Sequence, residues 1–164
     1  MSAMPGGMPA MSMSAAGRGL KVTAPEEWVV VQPKVSMIQA EFALPKVEGD
    51  ENDGRLTVMA AGGSVKMNVD RWRSQFADLK DKPTEEIDVS GTKVTLVDLS
   101  GTFNEQRGMG PVTQRPAYRM LAAILETPDG LLFVKGYGPE NTMAKYAEDF
   151  RPFVESLASP SGQE

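Results

Sequence analysis

The 164-residue chain contains no cysteine and no histidine. Without cysteine there is no disulfide, no thiolate nucleophile and no thiolate metal ligand. Without histidine it lacks the commonest general base, the commonest metal ligand and the side chain that ordinarily titrates near neutrality. The familiar serine, cysteine and zinc hydrolase chemistries each lose a required part. No apolar run approaches the roughly 18 residues that a membrane helix needs, so no span is expected. A basic block is also missing, and the formal charge is −5. Phosphate recognition draws on Lys and Arg, so this balance argues against nucleic acid as a partner and against docking on anionic lipid.

What remains is the composition of a globular domain, 41% hydrophobic and 24% charged, at a length that suits one domain and not two. Residues Met1 to Gly19 are Met, Ser, Ala, Pro and Gly with Arg18 as their one charge. Such a stretch has no apolar face with which to offset its ordering entropy, and it reads as a flexible tail or linker. It lacks the basic and apolar regions of a signal peptide. Two origins fit it equally: an ordinary flexible terminus, or a linker that follows a removed signal or a lipid-anchored cysteine. Residues 20–158 then form a single domain, and 159–164 a frayed end.

Short strands open the domain at Leu20–Thr23, Trp28–Val31 and Met37–Leu44. Arg55–Ala61 resumes after a polar turn, which suggests a hairpin. Val65, Val69, Trp72, Phe76 and Leu79 then recur at helical spacing, with Ser64 as N-cap and Lys82-Pro83 beyond the end. Ile87–Val89 and Val94–Leu99 alternate across Ser90-Gly91. Tyr118–Glu126 and Leu131–Tyr137 face each other across a turn containing Asp129-Gly130. A second helix starts at Pro139 with the stripe Met143, Tyr146, Phe150, Phe153 and Leu157, and Pro152 is expected to break or bend it. Hairpin connections favour an α+β fold, a mainly antiparallel sheet of six or seven strands with two helices packed on it.

Candidate sites are few. Gly62-Gly63-Ser64 opens a helix as an anion site would, but phosphate-loop spacing is absent and a strand-to-helix turn needs the same residues. Asp50 to Gly54 hints at calcium, yet Arg55 and Ala61 occupy the positions where the EF-hand requires glycine and glutamate, so a solvated turn is expected. Glu26 with Glu27, or Asp98 with Glu105, are the carboxylate pairs available for acid–base work. The first pair points to opposite faces of a strand. No catalytic residue, metal ligand or cofactor is therefore assigned. The long connection Asn104–Pro116 is of the kind that carries binding function, and Arg107, Met109 and Arg115 are its candidate partner-binding residues. Trp72 reads as core, and Trp28 as partly exposed on a short edge strand.

Several stretches taken together resemble a family of small, uncharacterised bacterial proteins that are often exported or lipid-anchored. They are Leu20-Lys-Val-Thr-Ala-Pro through Trp28, Phe42-Ala-Leu-Pro with Glu48-Gly49-Asp50, and Asn68-Val-Asp-Arg-Trp72 with Gln75-Phe76. Val97-Asp-Leu-Ser-Gly101 with Met109-Gly-Pro111 and Tyr118-Arg-Met-Leu through Pro139-Glu140 complete the pattern. The strand–helix order also resembles the PsbP-like fold, shared by extrinsic photosystem proteins and a eukaryotic Ran-binding protein. The resemblance implies a non-catalytic binding domain, exported to the periplasm or cell envelope, with a protein partner there and a lipid anchor upstream as a further option. A small-ligand-binding protein or minor enzyme with a pocket between sheet and helix is the alternative function, and the cytoplasm the alternative compartment. No partner-binding residue carries over from the PsbP-like proteins.

Overall fold

Tyr118 to Leu125 is apolar at nearly every position, so a strand there needs cover on both faces. The computed structural model, which describes residues 12–15, 20–34, 37–106 and 109–158, provides it. In chain order the elements are β1 (Ser12–Ala15), β2 (Leu20–Thr23), β3 (Val29–Val31), β4 (Ile38–Leu44) and β5 (Gly54–Ala61). There follow α1 (Val65–Ser74), β6 (Phe76–Asp81), β7 (Glu85–Val89), β8 (Thr92–Glu105), β9 (Thr113–Thr127), β10 (Gly130–Pro139) and α2 (Glu140–Ala158). β1 and β2 form a small antiparallel ribbon, and β2 runs beside α2. The other eight strands form one antiparallel sheet in the order β3-β4-β5-β10-β9-β8-β6, and β8 is long enough to pair with β7 as well.

The two helices lie on opposite faces. Along β9, Leu121, Ala123 and Leu125 face α2, where Met143, Tyr146, Phe150, Phe153 and Leu157 close one core. Met120, Ala122 and Ile124 face the other way, against Val69 and Trp72 of α1. The first turn of α2 comes down almost onto the sheet because Gly54 and Gly138 meet there. A Cβ on Gly138 would sit 2.7 Å from Gly54 Cα, and one on Gly54 would sit 3.0 Å from Met143 Sδ. Trp28 is buried, 5% exposed, and packs against the rings of Phe42 and Phe153.

Three elements differ from the sequence expectation. The first helix stops at Ser74, and Phe76 to Asp81 is a strand on the edge of β8. Phe76 and Leu79 do join the same core as Trp72, so their spacing reports burial without reporting helix. A bulge between Ala77 and Lys80, with Asp78 at φ 53°, keeps both residues inward. Secondly, the long connection shrinks to residues 106–112, because β8 runs to Glu105 and β9 starts at Thr113. Buried Phe103 and the Glu105–Arg115 ion pair continue the ladder through the polar sequence. Thirdly, α2 runs on through Pro152, which is exposed while Phe150, Phe153 and Val154 are buried around it. Their packing outweighs the roughly 3 kcal/mol that an interior proline costs. Of the expected tail only Ser12–Ala15 falls among the described residues, and residues 159–164 and Arg107 lie outside them.

Candidate functional site

A helix of 10 residues spans about 15 Å, one of 19 about 28 Å. The longer α2 covers its face of the sheet, whereas α1 leaves part of its own open. A row of polar side chains occupies that open part, one from each of five adjacent strands. Glu41 on β4 accepts from Arg55 Nε on β5 at 2.9 Å, and Arg55 Nη1 lies 3.4 Å from the Tyr137 hydroxyl on β10. That hydroxyl donates to Glu105 Oε2 on β8 at 2.9 Å, and Glu105 Oε1 accepts from Arg115 Nε on β9 at 3.0 Å. Strand register is the cause, since Tyr137 lies opposite Arg55 and Phe103 lies opposite Arg115.

The row is electrically closed. Burial would lower the pKa of Arg55, but its bonds to Glu41 and Tyr137 override this and raise it. The bond to Glu105 raises that of Arg115, and burial pushes the Tyr137 phenol up. Each carboxylate is paired with a guanidinium, which leaves the row without net charge. Asp98 and Glu105 do not form a carboxylate pair. Asp98 projects to the α2 side, where Arg119 binds it through two nitrogens at 2.9 and 3.0 Å and Lys82 adds a third contact at 3.2 Å. Burial there works to raise the Asp98 pKa, but these cations hold it below the ordinary carboxylate value.

Arg115 is therefore a ladder residue in an ion pair near the loop end of the β8–β9 hairpin, and in that loop Met109 is fully exposed and Val112 54% exposed. The structure brings neither into contact with the other. The Gly62-Gly63-Ser64 turn is committed to capping: Ser64 Oγ accepts from Met67 N at 3.0 Å, and Asn68 Nδ2 donates to the carbonyls of Gly62 and Ser64. Asp50, read from sequence as a solvated turn residue, instead accepts from Thr142 N at 3.0 Å and Thr142 Oγ1 at 2.6 Å. Among the described residues no cluster of three or more acidic side chains is placed to hold a metal, and no helix is long and apolar enough to cross a membrane.

Two hollows flank the polar row. One, of about 280 Å³, opens between Arg55, Arg115 and Tyr118. The other, of about 420 Å³, lies between the sheet and the C-terminal end of α1, with Ser74 and Gln75 on one wall and Lys135 on the sheet. Sequence reasoning missed Lys135. Its neighbours Phe133 and Tyr137 mark its face as the α1 side, so a lysine at that parity in an otherwise apolar strand was the available signal.

The fold defines the class: an α+β domain of PsbP-like architecture. Among solved structures the chain is similar to PA94, a Pseudomonas aeruginosa protein of unknown function, with a TM-score of 0.56 and 12% identity over 89% of this chain and 95% of that one. It is similar also to the cyanobacterial PsbP of Synechocystis sp. PCC 6803, with a TM-score of 0.54 and 13% identity over 97% and 96% of the two chains. At these identities the likeness establishes fold and nothing finer. No family model and no curated protein matches the chain.

Proposed function

We propose that this protein is a non-catalytic binding domain of the bacterial cell envelope that takes a protein partner at the tip of the β8–β9 hairpin. The observation that carries the reading is the exposure of Met109 and Val112 on a connection whose base is fixed by the Glu105–Arg115 pair. Apolar side chains presented on a braced support lose little conformational entropy on binding. Arg107 belongs to the same connection by sequence and adds a positive charge to it. The compartment is supported by the resemblance to exported and lipid-anchored bacterial proteins, with export or an upstream lipid anchor as the two ways of reaching it.

The test is a crosslinking capture from native envelopes with the full-length protein. Wild type is expected to retain one stoichiometric protein partner, and a Met109→Glu, Val112→Glu double variant to lose it with its circular dichroism unchanged. Equal capture by both proteins would exclude the hairpin tip. A second reading, a small-ligand-binding protein, is favoured by the cavity under α1.

A further inference from the structure

Lysine is among the residues least often buried without a partner, because removing its ammonium from water is costly. Lys135 sits in the middle of β10, opposite Thr57 on one side and Ala122 on the other, with α1 over it. Its ammonium lies 5.7 Å from the centre of the Trp72 ring. Among the described residues no carboxylate pairs with it. The charged groups that face it from the surrounding elements are Arg55 on β5, Arg71 on α1, Glu105 on β8 and Arg115 beyond it on β9, with the Tyr137 phenol on its own strand. Glu41 and Arg55 neutralise each other, as do Glu105 and Arg115. The Lys135 charge is left over, and Arg71 adds to it. In a chain whose net charge is −5, the floor of this cavity is locally positive.

The cavity walls point to what balances that charge. Gln75, just past the end of α1, brings an amide side chain to one wall. Ile38, Met59, Phe103 and Val112 form an apolar strip on a wall that is otherwise polar, and about 420 Å³ accommodates a small organic molecule. One ammonium without a carboxylate partner is balanced by one negative charge. We propose that the cavity between β10 and α1 binds a small monocarboxylate with a short apolar body, its carboxylate on the Lys135 ammonium and its body along Met59 and Phe103. This inference rests on the small-ligand reading and does not depend on the hairpin partner.

Benzoate and hexanoate serve as probes, with benzyl alcohol and inorganic phosphate as controls, titrated into the full-length protein. Binding is read from the indole N–H resonances, of which Trp72 lies beside Lys135 and Trp28 lies in the opposite core. The expected result is a saturable shift of the Trp72 resonance with a Kd of about 1 mM or tighter, with Trp28 unmoved. Lys135→Met is expected to weaken benzoate at least tenfold, and Lys135→Arg to restore part of the affinity. Burial, with Arg71 and Arg55 nearby, lowers the Lys135 pKa to about 8. Affinity is therefore expected to hold constant at lower pH and to fall about tenfold per unit above pH 8. Benzyl alcohol binding as well as benzoate would overturn the carboxylate assignment while leaving a ligand pocket. Phosphate binding more tightly than either acid would overturn the monoanion. No Trp72 shift with any probe would overturn both the assignment and the small-ligand reading, whereas undiminished benzoate affinity in Lys135→Met at this site would overturn the Lys135 assignment alone.

Discussion

Gly101 is the residue that allows β8 to carry two partners along one edge. It has φ +146° at the bulge between Gly101 and Phe103, where the strand passes beneath the kinked backbone of β6. A Cβ there would lie 2.8 Å from both the Ala77 and Asp78 carbonyl oxygens, and backbone cannot move aside as a side chain can. Gly101→Ala should therefore cost about 2–4 kcal/mol, from the strained dihedral and the overlap together. Gly49→Ala makes the comparison, with φ +98° and no atom within 4 Å of the added carbon, and should cost about 1 kcal/mol. Urea denaturation of the two variants checks this, and equal losses would remove the overlap from the account. Alternation in the sequence carried this strand from Val94 as far as Leu99. That the strand continues past Gly101 was not legible, because Phe103 and Glu105 are separated from the apolar run by Gly101 and Thr102 and acquire their burial from Phe76, Tyr118, Tyr137 and Arg115, distant in sequence.

At the scale of elements, sequence periodicity succeeded where one face decided the structure and misled where an edge did. Ser64 as N-cap, the stripe of α2 and the Asp129-Gly130 turn each follow from local chemistry, and each is present. β6 fails the same logic because an edge strand with a bulge has neither period 2 nor period 3.6. The start of α2 also depends on a distant group. Thr142 is buried, and its N–H and hydroxyl both bind Asp50, which comes from the β4–β5 connection. A carboxylate at a helix N-terminus satisfies a free N–H and meets the positive end of the helix dipole. Asp50→Ala should thus destabilise the fold by about 1–3 kcal/mol, since it also strips a partner from a buried hydroxyl. Asp53→Ala removes only an exposed bond to Lys46 N and should stay within about 1 kcal/mol of wild type. Indistinguishable midpoints for the two variants in urea would show that the loop does not cap the helix. The acidic run that suggested a cation site from sequence thus finds its counter-charge in a helix terminus.

Across the whole molecule, the unequal lengths of the helices set where polar groups can sit. α2 seals one face with aromatic and aliphatic side chains, and the shorter α1 leaves a strip of the other face to the Glu41–Arg55–Tyr137–Glu105–Arg115 row and to Lys135. The row is self-compensating and contributes to structure. Lys135 is not compensated, so it works against stability. Its folded pKa of about 8 lies below the value of about 10.4 usual for an unfolded chain. Between those two values the unfolded chain holds more protons than the folded one, so stability rises with pH across that window. Below about pH 8 the cost is present in full; above about 10.4 it is gone. Lys135→Met, which keeps the length and the contact with Trp72, should therefore stabilise the protein by about 1–3 kcal/mol at pH 7, with the gain shrinking towards pH 10. Paired denaturation curves at pH 7 and pH 10 measure this directly. A variant less stable than wild type at pH 7 would mean that the ammonium is already balanced within the fold. A more stable variant that no longer binds benzoate would show a residue kept at a cost to folding for the sake of a ligand.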